Sequence, residues 1–335
     1  MRALLLLAVS GALVLPGCSL CWPRGGALQQ CTADDDDAVD DDDAADDDDA
    51  VDDDDAVDDD DAVDDDDAVD DDDAVDDDDV VDDDDATLDD DGMLPVPAGD
   101  VLMGCTAGTR GCDSDEQPAH TVSVSAFRIH AFEVTKAEFV TFINEVGNDC
   151  DGFNCLGAFA GPEVVEVSTG VWEVTKGHED EPAAEVTWYG ADGYCAWAGV
   201  RLPTEAEWER AARGDDGRTY PWGEDDPDCG LAIYGGGCGE DGPWDVGEPR
   251  FAGRSPFGVW DMAGNVWEHV ADWYDADYYG ESPTQDPTGP VVGSSKVARG
   301  GGYESNSVTI RTFSRWGRTP EFGNSSVGFR CAADP

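Results

Sequence analysis

The chain has 335 residues and a formal net charge of -61, set by 79 acidic against 18 basic side chains. The charge is uneven: 39 aspartates fall in residues 34–91, which contain no basic residue, while residues 92–335 carry 40 acidic and 16 basic side chains. A surface this negative repels phosphate and excludes nucleic-acid partners, and the 244 residues from Gly92 onward suffice for one large domain with a core.

At the amino terminus, Arg2 precedes an almost wholly apolar run, residues 3–15. The run falls short of the roughly 20 residues a membrane-spanning helix needs and reads as the h-region of a signal peptide, residues 1–17. The segment Leu15-Pro16-Gly17-Cys18 resembles the lipobox of bacterial lipoproteins. That resemblance implies acylation of Cys18, leaves residues 18–33 as a lipid-anchored linker, and places an exported protein in the cell envelope, at the outer membrane or cell surface. An ordinary cleaved signal peptide is the plainer alternative. No later segment approaches 18 consecutive apolar residues.

Residues 34–87 form nine hexads of four aspartates and two small or apolar residues, and Asp89, Asp90 and Asp91 follow. Such a segment has little to bury and repels itself, so residues 34–91 are expected to be disordered and extended. At roughly 3.3 Å per residue the segment reaches on the order of 190 Å when stretched. It reads as a spacer between anchor and domain. A low-affinity calcium reservoir is the alternative, since carboxylates suit hard cations.

Eight cysteines lie in the domain, an even number consistent with an oxidising compartment. Close spacing pairs Cys105 with Cys112, Cys150 with Cys155, and Cys229 with Cys238, leaving Cys195 and Cys331 as a long-range staple. Thiolate ligation of a metal is the competing reading, although none of these gaps is Cys-x-x-Cys.

In chain order, residues 121–125 alternate apolar and polar side chains as a half-buried strand does. Thr135 and Glu138 form a capping-box pattern ahead of Phe139, Phe142, Ile143 and Val146, with Gly147 closing the helix. A second helix is predicted over residues 189–197, and a third from Thr204, capped by Glu207, to Arg213 before Gly214. Beyond about Gly223 the chain is rich in Gly, Pro, Trp and Asp without helical periodicity and reads as loops. The class is α+β with much irregular structure.

Several blocks resemble the formylglycine-generating enzyme (sulfatase-modifying factor) family. They include Val186-Thr187-Trp188, Gly199-Val200-Arg201-Leu202-Pro203-Thr204-Glu205-Ala206-Glu207-Trp208-Glu209, Tyr220-Pro221-Trp222-Gly223, Asp261-Met262-Ala263-Gly264-Asn265-Val266-Trp267-Glu268, Arg299-Gly300-Gly301 and Gly328-Phe329-Arg330. The resemblance runs through residues 94–331. It implies a loop-rich, disulfide-stapled variant of the C-type lectin fold over residues 92–335, and a Cys195–Cys331 bond. It also implies copper(I) on two cysteines after the Arg-Gly-Gly block, used with oxygen to convert a sulfatase cysteine to formylglycine. Those positions fall here on Ser305 and Ile310. Copper(I) wants thiolate, so neither residue suits it and copper is not expected. A second family disulfide is also missing, its positions falling on Ala212 and Arg315.

The resemblance further implies a structural calcium held by Asp261, Gly264, Val266 and Glu268; plain capping and hydrogen bonding by the two carboxylates is the alternative. A second family calcium site has no match around Leu231 and Gly235. Arg299, Arg311, Arg315, Arg318 and Arg330 concentrate positive charge in the carboxyl-terminal segment. Arg299 and Arg330 are expected to pair internally. Arg311, Arg315 and Arg318, with Tyr303, Ser305, Asn306 and Trp316, are the candidates for contact with an anionic ligand. The four histidines are scattered, and His269 is expected to pack rather than catalyse. The leading reading is a surface-anchored, non-catalytic binding or display module for a protein or small-molecule ligand, since the lectin-like fold also displays ligand-binding surfaces in variable proteins. The alternative is an oxidase of the formylglycine type or a related oxygen-dependent enzyme.

Overall fold

The computed structural model describes residues 91–335, apart from 107, 110, 158–160, 236–237 and 239–241. The expected signal peptide, the lipidated Cys18, the linker and nearly all of the Asp-rich repeat lie outside the described residues. What is described falls within one unit, Asp76–Pro335.

Strands β1 (Met93–Val96), β2 (Gly99–Met103), β3 (His120–Val124) and β4 (Phe127–His130) open the domain. The strand expected over residues 121–125 is β3, displaced by one residue, and it pairs antiparallel with β2. Helix α1 (Lys136–Val146) starts where the capping box puts it: the Thr135 hydroxyl accepts from the Glu138 amide, and the Glu138 carboxylate accepts from the Thr135 amide at 2.8 Å. It ends at Gly147, whose φ of 90° an L side chain tolerates poorly. A hairpin, β5 (Val164–Ser168) and β6 (Val171–Val174), packs on α1. Helices α2 (Trp188–Trp197) and α3 (Glu205–Arg213) follow, the latter between its Thr204 cap and Gly214.

Between residues 223 and 266 the described residues form loops, as the composition predicts. Beyond that the expectation fails, because four strands lie there: β7 (Trp267–Trp273), β8 (Lys296–Arg299), β9 (Arg315–Arg318) and β10 (Val327–Phe329). They form one sheet in the order β10-β7-β8-β9, parallel only between β10 and β7. The two-residue β11 (Ala332–Ala333) joins β1 and β4 in a second sheet. Strand β7 gave no alternating signal because it is buried on both faces, with Glu268, His269 and Asp272 all inside.

Two apolar clusters hold these elements. Phe139, Phe142, Tyr194 and Phe329 meet through ring contacts with centroids 5.4–6.1 Å apart, and burying each phenylalanine contributes about 1.5–3 kcal/mol. A second cluster gathers Val101, Phe127, Ile129, Trp208, Met262 and Val297. All four expected disulfides form, and Cys195–Cys331 ties α2 to the carboxyl end across 136 residues.

Helix α3 is unusual in that every residue is buried although five of nine are charged. Glu205 and Glu209 meet arginines from the carboxyl-terminal segment, while Glu207 pairs with Arg201. Glu209 takes Arg299 at 2.5 Å and Arg213 at 2.9 Å. Glu205 takes Arg315 through two bonds of 2.8 and 2.9 Å. Glu268 of β7 takes Arg330 through bonds of 2.7 and 2.8 Å.

Four outcomes follow from this packing. Glu209→Gln leaves two buried guanidiniums short of a counter-charge and should lose about 3–5 kcal/mol in denaturant unfolding. Asp216→Asn, which breaks the exposed pair with Arg218, should change stability by less than about 1 kcal/mol. Replacing Cys195 and Cys331 together by alanine should cost about 4–5 kcal/mol, by opening so long a loop. His269 is wholly buried, which pushes its imidazole down to about 3 from 6.5. Between those values the unfolded chain binds the extra proton, so His269 lowers stability progressively as pH falls below about 6.5. His269→Phe should therefore gain on the wild type between pH 7.5 and 4.5, by up to about 1.4 kcal/mol per pH unit, in paired melts.

Candidate functional site

A depression of about 250 Å³ lies beside the four-stranded sheet, reached by side chains of β7 and β9. Its lining includes Trp267, Ser305, Trp316, Arg318, Asn324 and Ser326. The sheet register explains the grouping. Trp316 lies across from Ala298, which lies across from His269, so the small Ala298 leaves room between β7 and β9. The Trp267 and Trp316 rings meet edge to face with centroids 5.3 Å apart. The Arg318 guanidinium stacks on Trp316 at 3.7 Å from the ring centroid. Ser305 sits in a tight turn in which its hydroxyl accepts from the Gly302 amide at 3.0 Å.

Of the expected contact residues, Ser305, Trp316 and Arg318 come together here. Arg311 and Arg315 do not, which corrects their assignment to a ligand surface. Arg311 is buried against Glu116 at 3.1 Å, and Arg315 is buried against Glu205. Both carboxylates stand far away in sequence, so the composition of the carboxyl-terminal segment could not reveal the pairs. The Asn306 side chain is engaged locally, accepting from the amides of Val308 and Thr309 at 2.9 and 3.2 Å. Tyr303 is only 8% exposed and faces a separate cleft.

That cleft, about 640 Å³, was not anticipated; Lys136, His178, Glu181, Glu185, Trp244 and Asp245 are among its walls. Glu181 bridges Lys136 at 2.5 Å and His178 at 2.7 Å. Burial, with Asp180 and other carboxylates nearby, pushes the Asp245 carboxyl up. Burial chiefly does the same for Glu185, with Glu163 adding to it. The run His178-Glu179-Asp180-Glu181 was the available sequence signal.

The donor set decides what metals the site could hold. Ile310 is fully buried in an apolar cluster with Tyr220, Ala232 and Ala263, and Ser305 offers a hard hydroxyl. All eight domain cysteines are in disulfides. Two-coordinate thiolate ligation of copper(I) therefore has no donors at these positions. The turn before β7 offers oxygen donors, the type a hard cation takes, although among the described residues its three carboxylates do not close into one tight cluster. Asp261, Gly264 and Asn265 all have positive φ, at 58°, 88° and 56°, so the block turns tightly. Asp261 and Glu268 are joined there by a third carboxylate, Glu133, which accepts from the Asn265 amide group at 2.7 Å. Three acidic groups face one guanidinium, Arg330, whose bonds occupy both oxygens of Glu268. Burial pushes Asp261 up to about 6, and Glu133 is also raised by burial and by its two acidic neighbours.

Comparison with known proteins agrees with this architecture. Residues 79–335 match the Sulfatase-modifying factor enzyme 1-like domain. The formylglycine-generating enzyme of Streptomyces coelicolor is 35% identical, over 72% of this chain and 89% of that protein. The inactive C-alpha-formylglycine-generating enzyme 2 of Mus musculus is 31% identical, over 72% of this chain and 85% of that protein. Among solved structures, PvdO from Pseudomonas aeruginosa superposes with a TM-score of 0.60 at 25% identity, over 72% of this chain and 94% of PvdO. With its family blocks, its four staples and its mixed, loop-rich fold, the chain belongs to the sulfatase-modifying factor, or formylglycine-generating enzyme, family.

Proposed function

We propose that this family member is a non-catalytic binding module, carried on the cell envelope by a lipid on Cys18 and held off the membrane by the Asp-rich spacer. The observation that carries the reading is the pair Ser305 and Ile310 at the positions of the copper-binding cysteines, the second filling an apolar cluster. A relative whose name marks it as inactive supports it. The working surface is the groove of Trp267, Trp316 and Arg318. A calcium at Asp261, with the Gly264 and Val266 carbonyls and Glu268, stabilises the turn that delivers Trp267 to the groove. It offsets the excess of carboxylates there.

Purified full-length protein given copper(I), a reductant, oxygen and a peptide bearing a sulfatase cysteine motif should consume oxygen no faster than buffer and yield no aldehyde. Turnover that survives repurification would establish an oxidase and end the binding-module reading. Stripping calcium with a chelator should lower the melting temperature by about 5–10 °C, with recovery on adding calcium back. Asp261→Ala should remove that response, and a chelator-insensitive melt in the wild type would contradict the calcium site.

A further inference from the structure

We propose that the depression between Trp267, Trp316 and Asn324 is a carboxylate-binding subsite, in which Arg318 receives an acidic side chain or chain terminus of a partner polypeptide. The proposal rests on the binding-module reading and names the ligand chemistry of that groove.

Arg318 differs from its neighbours in the carboxyl-terminal segment. Arg299, Arg311, Arg315 and Arg330 each have a glutamate within 3.1 Å. Among the described residues Arg318 has no carboxylate within ion-pair distance, and its buried Nε, like that of Arg299, has no hydrogen-bond acceptor. The guanidinium lies instead over the Trp316 ring, and its terminal nitrogens suit a planar, two-oxygen partner. Burial alone lowers its proton affinity; no nearby anion restores it.

The rest of the lining is complementary. The Asn324 side-chain oxygen is committed to Ser326, accepting from its amide at 2.9 Å and its hydroxyl at 2.6 Å. This fixes the amide's orientation and leaves its NH₂ group as a donor. The Ser305 oxygen is taken up as an acceptor by Gly302, so its hydroxyl proton is also available. The groove thus offers donors, with Glu304 as the one carboxylate on its wall. Glu304 is exposed and interacts with Tyr303. Trp316, 44% exposed, and Trp267 supply an apolar flank for the residue beside the carboxylate. A singly charged carboxylate suits the site better than phosphate, because residues 92–335 carry 40 acidic against 16 basic side chains and a dianion meets more repulsion.

The test is calorimetric titration of the full-length protein with three amino-acetylated peptides: acetyl-Gly-Leu-Asp-amide, acetyl-Gly-Leu-Asn-amide and acetyl-Gly-Leu-Asn with a free carboxyl terminus. At least one carboxylate peptide should bind about tenfold or more tighter than the neutral one, as expected for a hydrogen bond to a charged group. Which of the two wins identifies a side chain or a terminus as the source. Arg318→Gln should erase the preference. Asn324→Asp keeps the acceptor for Ser326 while adding a repelling charge, and should weaken the carboxylate peptides by about tenfold or more. Thermal melts of both variants verify that they fold. Equal binding of charged and neutral peptides, no binding of either, tighter binding of inorganic phosphate, or unchanged affinity in a folded variant would each overturn the subsite. Oxygen turnover would overturn the non-catalytic reading and leave this affinity comparison standing, so the two failures are distinguishable.

Discussion

Charge pairing in the interior is the constraint on which the domain depends. Helix α3 inserts Glu205 and Glu209 where no water can solvate them, and they are tolerable only because Arg213, Arg299 and Arg315 reach them with direct bonds. The pairs link a helix in the middle of the chain to strands near its end. Glu268 and Arg330 repeat the arrangement between strand β7 and the residue that follows β10. Replacing such pairs by apolar residues can be neutral or even stabilising, whereas removing one partner is expensive. The network therefore dictates which strand meets which helix more than it adds net stability.

This pairing decides which charges remain for function. Five arginines crowd the carboxyl-terminal segment, and a sequence cannot say which of them face inward. The structure commits Arg299, Arg311, Arg315 and Arg330 to internal glutamates. Arg318 stays in the groove, stacked on Trp316. The groove is thereby left with one cation, one carboxylate at its wall, two indoles and a set of hydroxyl and amide donors, where catalysis of the family's oxidation needs a pair of thiolates.

Much of the fold was legible because it is written in local chemistry. Thr135 with Glu138 and Thr204 with Glu207 close capping boxes within four residues, and both helices begin where those pairs fall. The cysteine pairs were readable for the same reason, three of them being separated by nine residues or fewer. Strands β7 to β10 were not legible, since β7 buries charged and apolar residues alike. Long-range partners were equally silent: Arg311 meets Glu116 across 195 residues. Glu133 joins the carboxylates at Asp261 and Glu268 from 128 positions away or more, so the acidic excess of that turn emerges only on folding. The acidic cleft beside Tyr303 likewise assembles from segments near residues 136, 163, 181 and 245.

The central claim is that the family's soft-metal site has been replaced rather than rearranged. It is tested most directly by the affinity for copper(I), measured by competition against a chromophoric chelator under anaerobic conditions with the disulfides intact. The wild type should fail to take copper(I) from the chelator, and Ser305→Cys combined with Ile310→Cys should compete for one equivalent. Stoichiometric copper(I) retained by the wild type would contradict the account.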